Sequence, residues 1–136
     1  MPTKTKRIIG WTLTVLVGLF LIGASGVPKF LDFPGKADMM AKLQIPLNLL
    51  TTLGVIEVSV AVLYLIPRTA FLGAILTTAY LGGAVWTHLR VGEPWFFPII
   101  VAVLMWLGLA LRHPVIFRLL LGQESLTPTI NDAAQR

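Results

Sequence analysis

The chain has 136 residues, of which 56% are hydrophobic and 12% are charged. A soluble domain normally has about a quarter of its residues charged, and a chain this short lacks the volume to bury so much apolar surface in one core. The composition therefore excludes an ordinary soluble domain and predicts a protein surrounded by lipid. The absence of cysteine excludes disulfides, thiolate metal sites and iron–sulfur clusters. The net charge of +5 does not indicate nucleic-acid binding, because the basic residues lie at helix ends and tails.

Four apolar segments predict an all-α fold, a polytopic four-helix transmembrane bundle. A helix needs about 20 residues to cross the hydrocarbon core, and each segment is close to this length. Backbone N–H and C=O groups in lipid must be paired within their own segment, which favours helix. Prolines and glycines separate the segments. In chain order the predicted spans are residues 8–27, 47–66, 69–89 and 95–111. Residues 1–122 are thus predicted to form one transmembrane domain, followed by a polar tail at 123–136.

The basic residues predict that both ends of the chain are cytoplasmic, in a multi-pass protein of the cell membrane. Lysine and arginine are enriched in cytoplasmic loops, which favours the N-in and C-in orientation. With that orientation the cytoplasmic side carries Lys4, Lys6, Arg7, Arg68, Arg112, Arg118 and Arg136, and the outer side carries the smaller set Lys29, Lys36, Lys42 and Arg90. In the outer loop, Met39, Met40 and Leu43 share one helical side and predict a short interfacial helix within residues 36–45.

Glu57 is the first candidate for a functional residue, because it lies near the middle of the second span. An ionised carboxylate at the bilayer centre costs at least about 2.5–3.5 kcal/mol, so Glu57 is predicted to face the bundle interior. The short turn between spans two and three places Thr77 and Tyr80 at a similar depth, and these three residues form the candidate interior polar site. The alternative is structural, with Glu57 held in a hydrogen bond between helices.

A second candidate is a polar cluster at the outer face, formed by Lys29, Asn48, His88 and Arg90. His88 there is suited to proton exchange near neutral pH, and the alternative is an interfacial residue wetted by headgroups. No metal site is predicted, and His88 and His113 fall on opposite membrane faces, which excludes their joint ligation of one haem. A redox group would be a lipid-soluble molecule such as quinone, or would belong to another subunit. Gly73 and the Gly82-Gly83 pair predict close helix packing.

Several segments resemble the DoxX-like membrane proteins. They are residues 26–30 (GVPKF), Glu57, and residues 64–70 (YLIPRTA), 72–74 (LGA), 79–84 (AYLGGA) and 87–92 (THLRVG). The resemblance covers residues 8–121 and implies a four-helix membrane fold. The family takes its name from a membrane subunit of a thiosulfate:quinone oxidoreductase, and related proteins accompany redox or stress-response partners. The resemblance supplies no catalytic set, so Lys29, Glu57, His88 and Arg90 are candidates only.

The leading functional hypothesis is a membrane component of quinone-linked redox metabolism or redox stress defence. In this hypothesis any enzymatic role is that of an accessory subunit of an oxidoreductase, with quinone as the candidate cofactor. The partners are the lipid bilayer and either a second copy of the chain or a redox partner subunit. Two alternatives remain open at this point: a small proton-coupled transporter that uses Glu57, and a non-catalytic scaffold of a membrane complex.

Overall fold

The computed structural model describes residues 2–123, and this part of the chain is helical with no strand. The predicted tail, residues 123–136, lies outside the described residues apart from Gln123. The six α-helices of the described part are α1 (Lys4–Leu19), α2 (Lys36–Lys42), α3 (Leu50–Leu65), α4 (Ala70–Leu89), α5 (Phe97–Arg112) and α6 (Val115–Leu120). A π-helical segment, Phe20–Gly26, continues α1, and 3-10 turns follow it at Val27–Lys29 and precede α3 at Leu47–Leu49.

Three continuous helical stretches are long and apolar enough to cross a membrane. They are Lys4–Lys29, Leu47–Leu65 and Ala70–Leu89, and Phe97–Arg112 is a shorter apolar helix. At 1.5 Å per residue, the 16 residues of α5 span about 24 Å, less than the hydrocarbon core of about 30 Å. The all-helical membrane fold is therefore confirmed, while the count of four spans and the N-in and C-in orientation stay predictions.

The first span is longer than the sequence predicts. It begins at Lys4 because the hydroxyl of Thr3 caps the helix and accepts a hydrogen bond from the Lys6 amide at 3.3 Å. It continues past residue 27 because Pro28 lies in the first turn of a 3-10 helix, where its missing N–H removes no bond. The other boundaries differ from the predicted ones by at most three residues: α4 ends at Leu89 as predicted, and α5 begins at Phe97 instead of residue 95.

The helices pack as a bundle in which α1 lies against α5, α3 against α4, and α4 against α5, while the π-helical segment lies against α3. Tyr64 is fully buried at the centre of this bundle. Its hydroxyl donates to the Met105 carbonyl at 3.0 Å and lies 3.2 Å from the Thr14 hydroxyl, so it joins α3, α5 and α1. Large apolar side chains such as Leu16, Leu19 and Val103 point outward, as expected where lipid replaces water.

The glycines of α4 have two different roles. A Cβ at Gly73 would overlap the backbone of Leu63 and Tyr64, so this glycine permits the close α3–α4 contact that the sequence predicts. The prediction for Gly82 and Gly83 is wrong within the described chain, because a Cβ at either position would meet no atom within 4 Å. Glycine alone does not indicate which face of a helix meets a neighbour.

The connection between the first two spans, residues 30–46, contains the short helix α2. This helix is shorter than the segment 36–45 in which it is predicted, because Gln44 adopts a left-handed conformation with φ of 52°. Met39, Met40 and Leu43 all border an internal cavity of the bundle. The apolar side of α2 is therefore turned toward the bundle as well as available to the membrane surface.

Candidate functional site

A cavity of about 820 Å³ lies between the bundle helices and the connection 30–46. Its wall is mostly apolar and includes side chains of the π-helical segment, α3, α4 and α5. The residues that bring polar groups to it from the bundle are Ser25, Lys29, Glu57, Tyr80, Thr87 and His88. The volume falls in the range of about 300–1,000 Å³ that small-molecule sites occupy. Four of the residues predicted from sequence therefore share one cavity: Lys29, Glu57, Tyr80 and His88.

Glu57 lies on the inner face of α3, one turn from Gly54 and Ala61, and 2% of its surface is exposed. Its oxygen Oε2 accepts two hydrogen bonds, from the Lys29 ammonium at 2.5 Å and from the Tyr80 hydroxyl at 3.2 Å. The prediction that Glu57 faces the interior agrees with this geometry. Of the two hydroxyl residues that the short α3–α4 turn places at a similar depth, Thr77 and Tyr80, only Tyr80 donates to Glu57.

Lys29 is the main difference between the predicted and the observed arrangement. The sequence places it at the outer face with His88, whereas its side chain turns into the bundle and pairs with Glu57. The ammonium also donates to the Ser25 carbonyl at 2.9 Å and to the Ser25 hydroxyl at 3.1 Å. An ammonium has three N–H groups, and all three are satisfied here.

This ion pair is a buried one, since 20% of the Lys29 side chain and 3% of the Glu57 side chain are exposed. Taking two charges out of water is costly, and the cost is recovered only when the geometry is good and further hydrogen bonds are made. Ser25 and Tyr80 supply those further bonds. These hydrogen bonds therefore help to offset the cost of burying the two charges. Removal of either side chain would leave the other charge in the bundle without a partner.

The π-helical segment positions Lys29. It begins at Phe20 and ends at Gly26, so Ser25 lies within it, and Lys29 is the last residue of the 3-10 turn that follows it. Gly26 allows the segment to approach α3, because a Cβ there would lie 2.8 Å from both Val58 Cγ2 and the Leu21 carbonyl. π-helical turns inside α-helices are frequent at functional sites. The sequence does not predict a π-helical segment here. The one signal near it is the run of small residues, 23–26, that precedes Lys29.

Thr77 is not brought to Glu57, contrary to the expectation from depth alone. It is fully buried, and its hydroxyl has no hydrogen-bond partner among the described residues. The neighbouring Thr78 bonds elsewhere: its hydroxyl donates to the Ala74 carbonyl at 2.7 Å and accepts from Trp106 Nε1 at 2.9 Å. Two residues at equal depth in neighbouring helices therefore need not be in contact, because the direction in which each side chain leaves its helix decides whether they meet.

The predicted outer-face cluster does not form as one group. His88 borders the cavity, and its Nδ1 lies 2.8 Å from the Ala84 carbonyl. Arg90 instead donates to the carbonyls of Leu43 and Gln44, at 2.9 and 3.1 Å, and so fastens the end of α2 to the end of α4. Asn48 is exposed at the start of the second span and does not border the cavity.

A second polar group, which the sequence analysis did not single out, lies at the end of α5. Arg112 is 6% exposed, and its guanidinium stacks over the Trp11 ring at 4.2 Å. Within the described residues, none of its nitrogens has a hydrogen-bond partner. Burial, with the nearby charge of Arg112 as the smaller cause, lowers the pKa of His113 below its usual value of 6.5.

Metal ligation finds no support in residues 2–123, where no group of three or more histidine or acidic side chains comes together. The cavity offers one carboxylate, one imidazole and two hydroxyl-bearing side chains near its charged pair. This donor set fits the polar end of an organic molecule, and the apolar wall fits the remainder of such a molecule.

The comparisons with known proteins agree with the fold. The family model described as the DoxX-like family matches residues 12–110, well over half of the chain. A search of curated proteins and a search of solved structures each gave no significant match to this sequence. The matched region contains the π-helical segment, the Lys29–Glu57 pair and the whole cavity wall. The chain is a membrane protein that belongs to the DoxX-like family.

Proposed function

We propose that the cavity binds a lipid-soluble quinone, and that the protein serves as a membrane component of quinone-linked redox metabolism or redox stress defence. The observation that carries this proposal is the cavity of about 820 Å³ whose wall is apolar and whose polar groups gather around Lys29 and Glu57. A quinone has a polar ring at one end of a long apolar chain, and its polar and apolar parts match those of the cavity wall. The family membership supports the same class of function.

The aromatic residues of the wall also suit a ring ligand. Phe20 and Phe97 both border the cavity and meet edge to face, with ring centroids 5.4 Å apart. Aromatic rings prefer such edge or offset arrangements and contribute about 0.5–1.5 kcal/mol per pair beyond the area that they bury. A planar ligand ring next to this pair would gain contacts of the same kind.

We place the protein in the cell membrane with both ends cytoplasmic, so that the cavity lies toward the outer face. This orientation rests on the distribution of lysine and arginine. We propose that this chain binds the quinone, while a redox partner subunit or a second copy of the chain supplies or removes the electrons. Its enzymatic role is then that of an accessory membrane subunit.

The test measures quinone in the purified protein and quinone-linked electron transfer in membranes. We expect quinone to co-purify in a stoichiometric amount, and we expect electron transfer to fall when the protein is absent. The matched variants are Leu53→Phe, which fills the cavity wall, and Ser59→Ala, which changes an exposed residue of the same helix. Absence of quinone together with unchanged electron transfer would contradict the proposal.

A scaffold function has one specific observation in its favour, because the Lys29–Glu57 pair is also a polar contact that joins the end of the first span to α3. A scaffold would co-purify with a stoichiometric partner, and its association would be insensitive to Leu53→Phe. The transporter alternative has less support, since the carboxylate already has a fixed ammonium partner.

A further inference from the structure

The polar groups around the cavity differ in how many of their hydrogen bonds are already made. The Lys29 ammonium donates to Ser25 and Glu57 with all of its N–H groups, and the Tyr80 hydroxyl donates to Glu57. The two strongest donors near the buried pair are therefore engaged. A ligand that needs donors, such as one with carbonyl oxygens, finds them occupied.

Glu57 has an acceptor left over. Both bonds to its carboxylate reach the same oxygen, Oε2. No hydrogen bond from the described residues reaches the second oxygen, Oε1, and the side chain borders the cavity. An ionised carboxylate oxygen only accepts hydrogen bonds. Oε1 is thus an unfilled acceptor that a ligand in the cavity can meet.

His88 provides a second acceptor at the same cavity. Its Nδ1 lies 2.8 Å from the Ala84 carbonyl, and a carbonyl oxygen only accepts, so Nδ1 carries the hydrogen. In the neutral imidazole the other nitrogen, Nε2, is then an acceptor. No hydrogen bond from the described part of the chain reaches it.

The remaining polar groups do not reverse this balance. The Ser25 hydroxyl retains its hydrogen, but a neutral hydroxyl makes a weaker bond than a carboxylate does. Lys36 borders the cavity at the connection 30–46, where its ammonium donates to the Leu31 carbonyl at 2.5 Å and to the Lys29 carbonyl at 3.4 Å, so two of its three N–H groups are engaged. Two ammonium groups near the cavity, Lys29 and Lys36, disfavour a cationic ligand, so a neutral donor fits best.

We propose that the cavity selects a neutral, lipid-soluble ligand whose polar end donates hydrogen bonds, and hence that it binds a reduced quinol in preference to the oxidised quinone. This inference rests on the proposed function and specifies the form of the ligand. A quinol carries two O–H donors where the quinone carries two carbonyl acceptors. Glu57 Oε1 and His88 Nε2 accept from such donors, whereas they repel carbonyl oxygens. The proposal concerns binding and contains no electron-transfer step.

The preference should be at least about tenfold, because one hydrogen bond to a charged acceptor is worth roughly that factor in affinity. The test uses the full chain in nanodiscs under anaerobic conditions. Three probes are compared by equilibrium partitioning against empty nanodiscs of the same lipid: decylubiquinol, decylubiquinone, and the dimethyl ether of the quinol. The ether keeps the ring and the apolar chain of the quinol, carries a methyl group in place of each hydroxyl hydrogen and has no O–H donor, so we expect it to bind as weakly as the quinone.

Variants locate the preference at the proposed acceptors. Glu57→Gln replaces an acceptor by an amide that also donates, so we expect the preference for quinol to fall below about threefold, chiefly through tighter quinone binding. His88→Phe removes the other acceptor and should lower quinol affinity. Ser59→Ala, on the exposed side of α3, should leave both affinities unchanged. If Glu57→Gln does not fold, the comparison of quinol with quinone and with the ether in the unmodified protein still tests the proposed preference.

The outcomes separate this inference from the proposed function. Tight quinol binding with weak binding of quinone and ether supports both. Quinone bound as tightly as quinol, or more tightly, overturns the inference and leaves the quinone function standing. Failure of all three probes to bind above empty nanodiscs overturns both.

Discussion

At the scale of single residues, the bundle stabilises one ion pair by surrounding it with hydrogen bonds. Lys29 comes from the 3-10 turn at the end of the first span and Glu57 comes from α3, and Ser25 and Tyr80 complete their bonding. In lipid the alternative to such bonds is an unsatisfied polar group, which is strongly unfavourable. The two charged side chains are therefore coupled, and the effect of changing one depends on whether the other is present.

A double-mutant cycle tests this coupling. We expect Lys29→Met and Glu57→Gln each to lower the free energy of unfolding by about 3–5 kcal/mol, because each leaves a buried charge or polar group without its partner. The double variant should cost about 1–3 kcal/mol less than the sum of the two. The measurement is reversible unfolding in detergent micelles.

Ser59→Ala is the matched control for this cycle, since Ser59 lies two residues from Glu57 but bonds only to the Val55 carbonyl of its own helix. Its unfolding free energy should stay within about 0.5 kcal/mol of the unmodified protein. Strict additivity of Lys29→Met and Glu57→Gln would contradict the coupling.

Arg112 presents the opposite situation, a buried charge without hydrogen bonds from the described residues. Its contact with the Trp11 ring contributes about 0.5–2 kcal/mol, less than the several kcal/mol that burial of a charge costs. We therefore expect Arg112→Met, which keeps the stem that packs near Gly10, to raise the midpoint of thermal unfolding by about 2–4 °C or more. Arg112→Lys is the matched control that keeps the charge. A lower midpoint for Arg112→Met would contradict the expectation that burial of this charge costs more than its contact with Trp11 returns.

At the scale of elements, the π-helical segment determines where the end of the first span points. One residue corresponds to about 100° of rotation around an α-helix, so the wider turns of Phe20–Gly26 change which side of the helix carries Lys29. The segment also brings the Ser25 carbonyl and hydroxyl to the ammonium. Local helix geometry and the ion pair are thus two parts of one arrangement.

Deletion of Gly23 tests this role. Removal of one residue should restore regular α-helix and rotate Lys29 away from Glu57, so we expect a loss of stability about equal to that of Lys29→Met. The control is Gly23→Ala, which keeps the register, and a Cβ there meets no atom within 4 Å. Both variants are compared by unfolding in detergent, with Glu57→Gln added to each. If the deletion still showed the full Lys29–Glu57 coupling, the segment would not determine the pairing.

The α3–α4 contact depends on one glycine of α4. We expect Gly73→Ala to lower the free energy of unfolding by about 1–3 kcal/mol or more, because the methyl group overlaps the backbone of Leu63 and Tyr64. Gly82→Ala in the same helix should be neutral or stabilising by up to about 1 kcal/mol, since alanine favours helix and the site is open. Thermal unfolding of the two variants side by side is the measurement, and equal losses would contradict the assignment.

At the scale of the whole molecule, the charges at the two ends of the bundle predict its orientation in the membrane. The absence of native cysteine makes this directly measurable, because single-cysteine variants carry one reactive site each. We expect Asp38→Cys, in the exposed helix α2, to react with a membrane-impermeant maleimide added to intact cells. Thr5→Cys, at the exposed start of α1, should react only after permeabilisation. The reverse labelling pattern would show the opposite orientation and would place the cavity toward the cytoplasm.

The sequence by itself determined the helical membrane fold, the approximate spans and the inward direction of Glu57. These features follow from local chemistry: apolar runs of span length require helix in lipid, and a charge in their midst must avoid the lipid face. The short turn at Pro67 and Arg68 aligns α3 with α4, so the sequence also placed Tyr80 at the depth of Glu57, although it gave Thr77 the same depth. Such features depend on local sequence or on two helices joined by a short turn.

Only the tertiary structure decided the partner of Glu57 and the composition of the cavity. Lys29 lies 28 residues away along the chain, and its direction depends on a π-helical segment that no periodicity of the sequence reveals. The same holds for Arg90, which donates to the carbonyls of Leu43 and Gln44, and for Thr77, whose hydroxyl makes no hydrogen bond to Glu57 or to any other described residue. These contacts depend on the rotation of each helix about its axis, and that rotation is set by how the side chains of all the helices pack together.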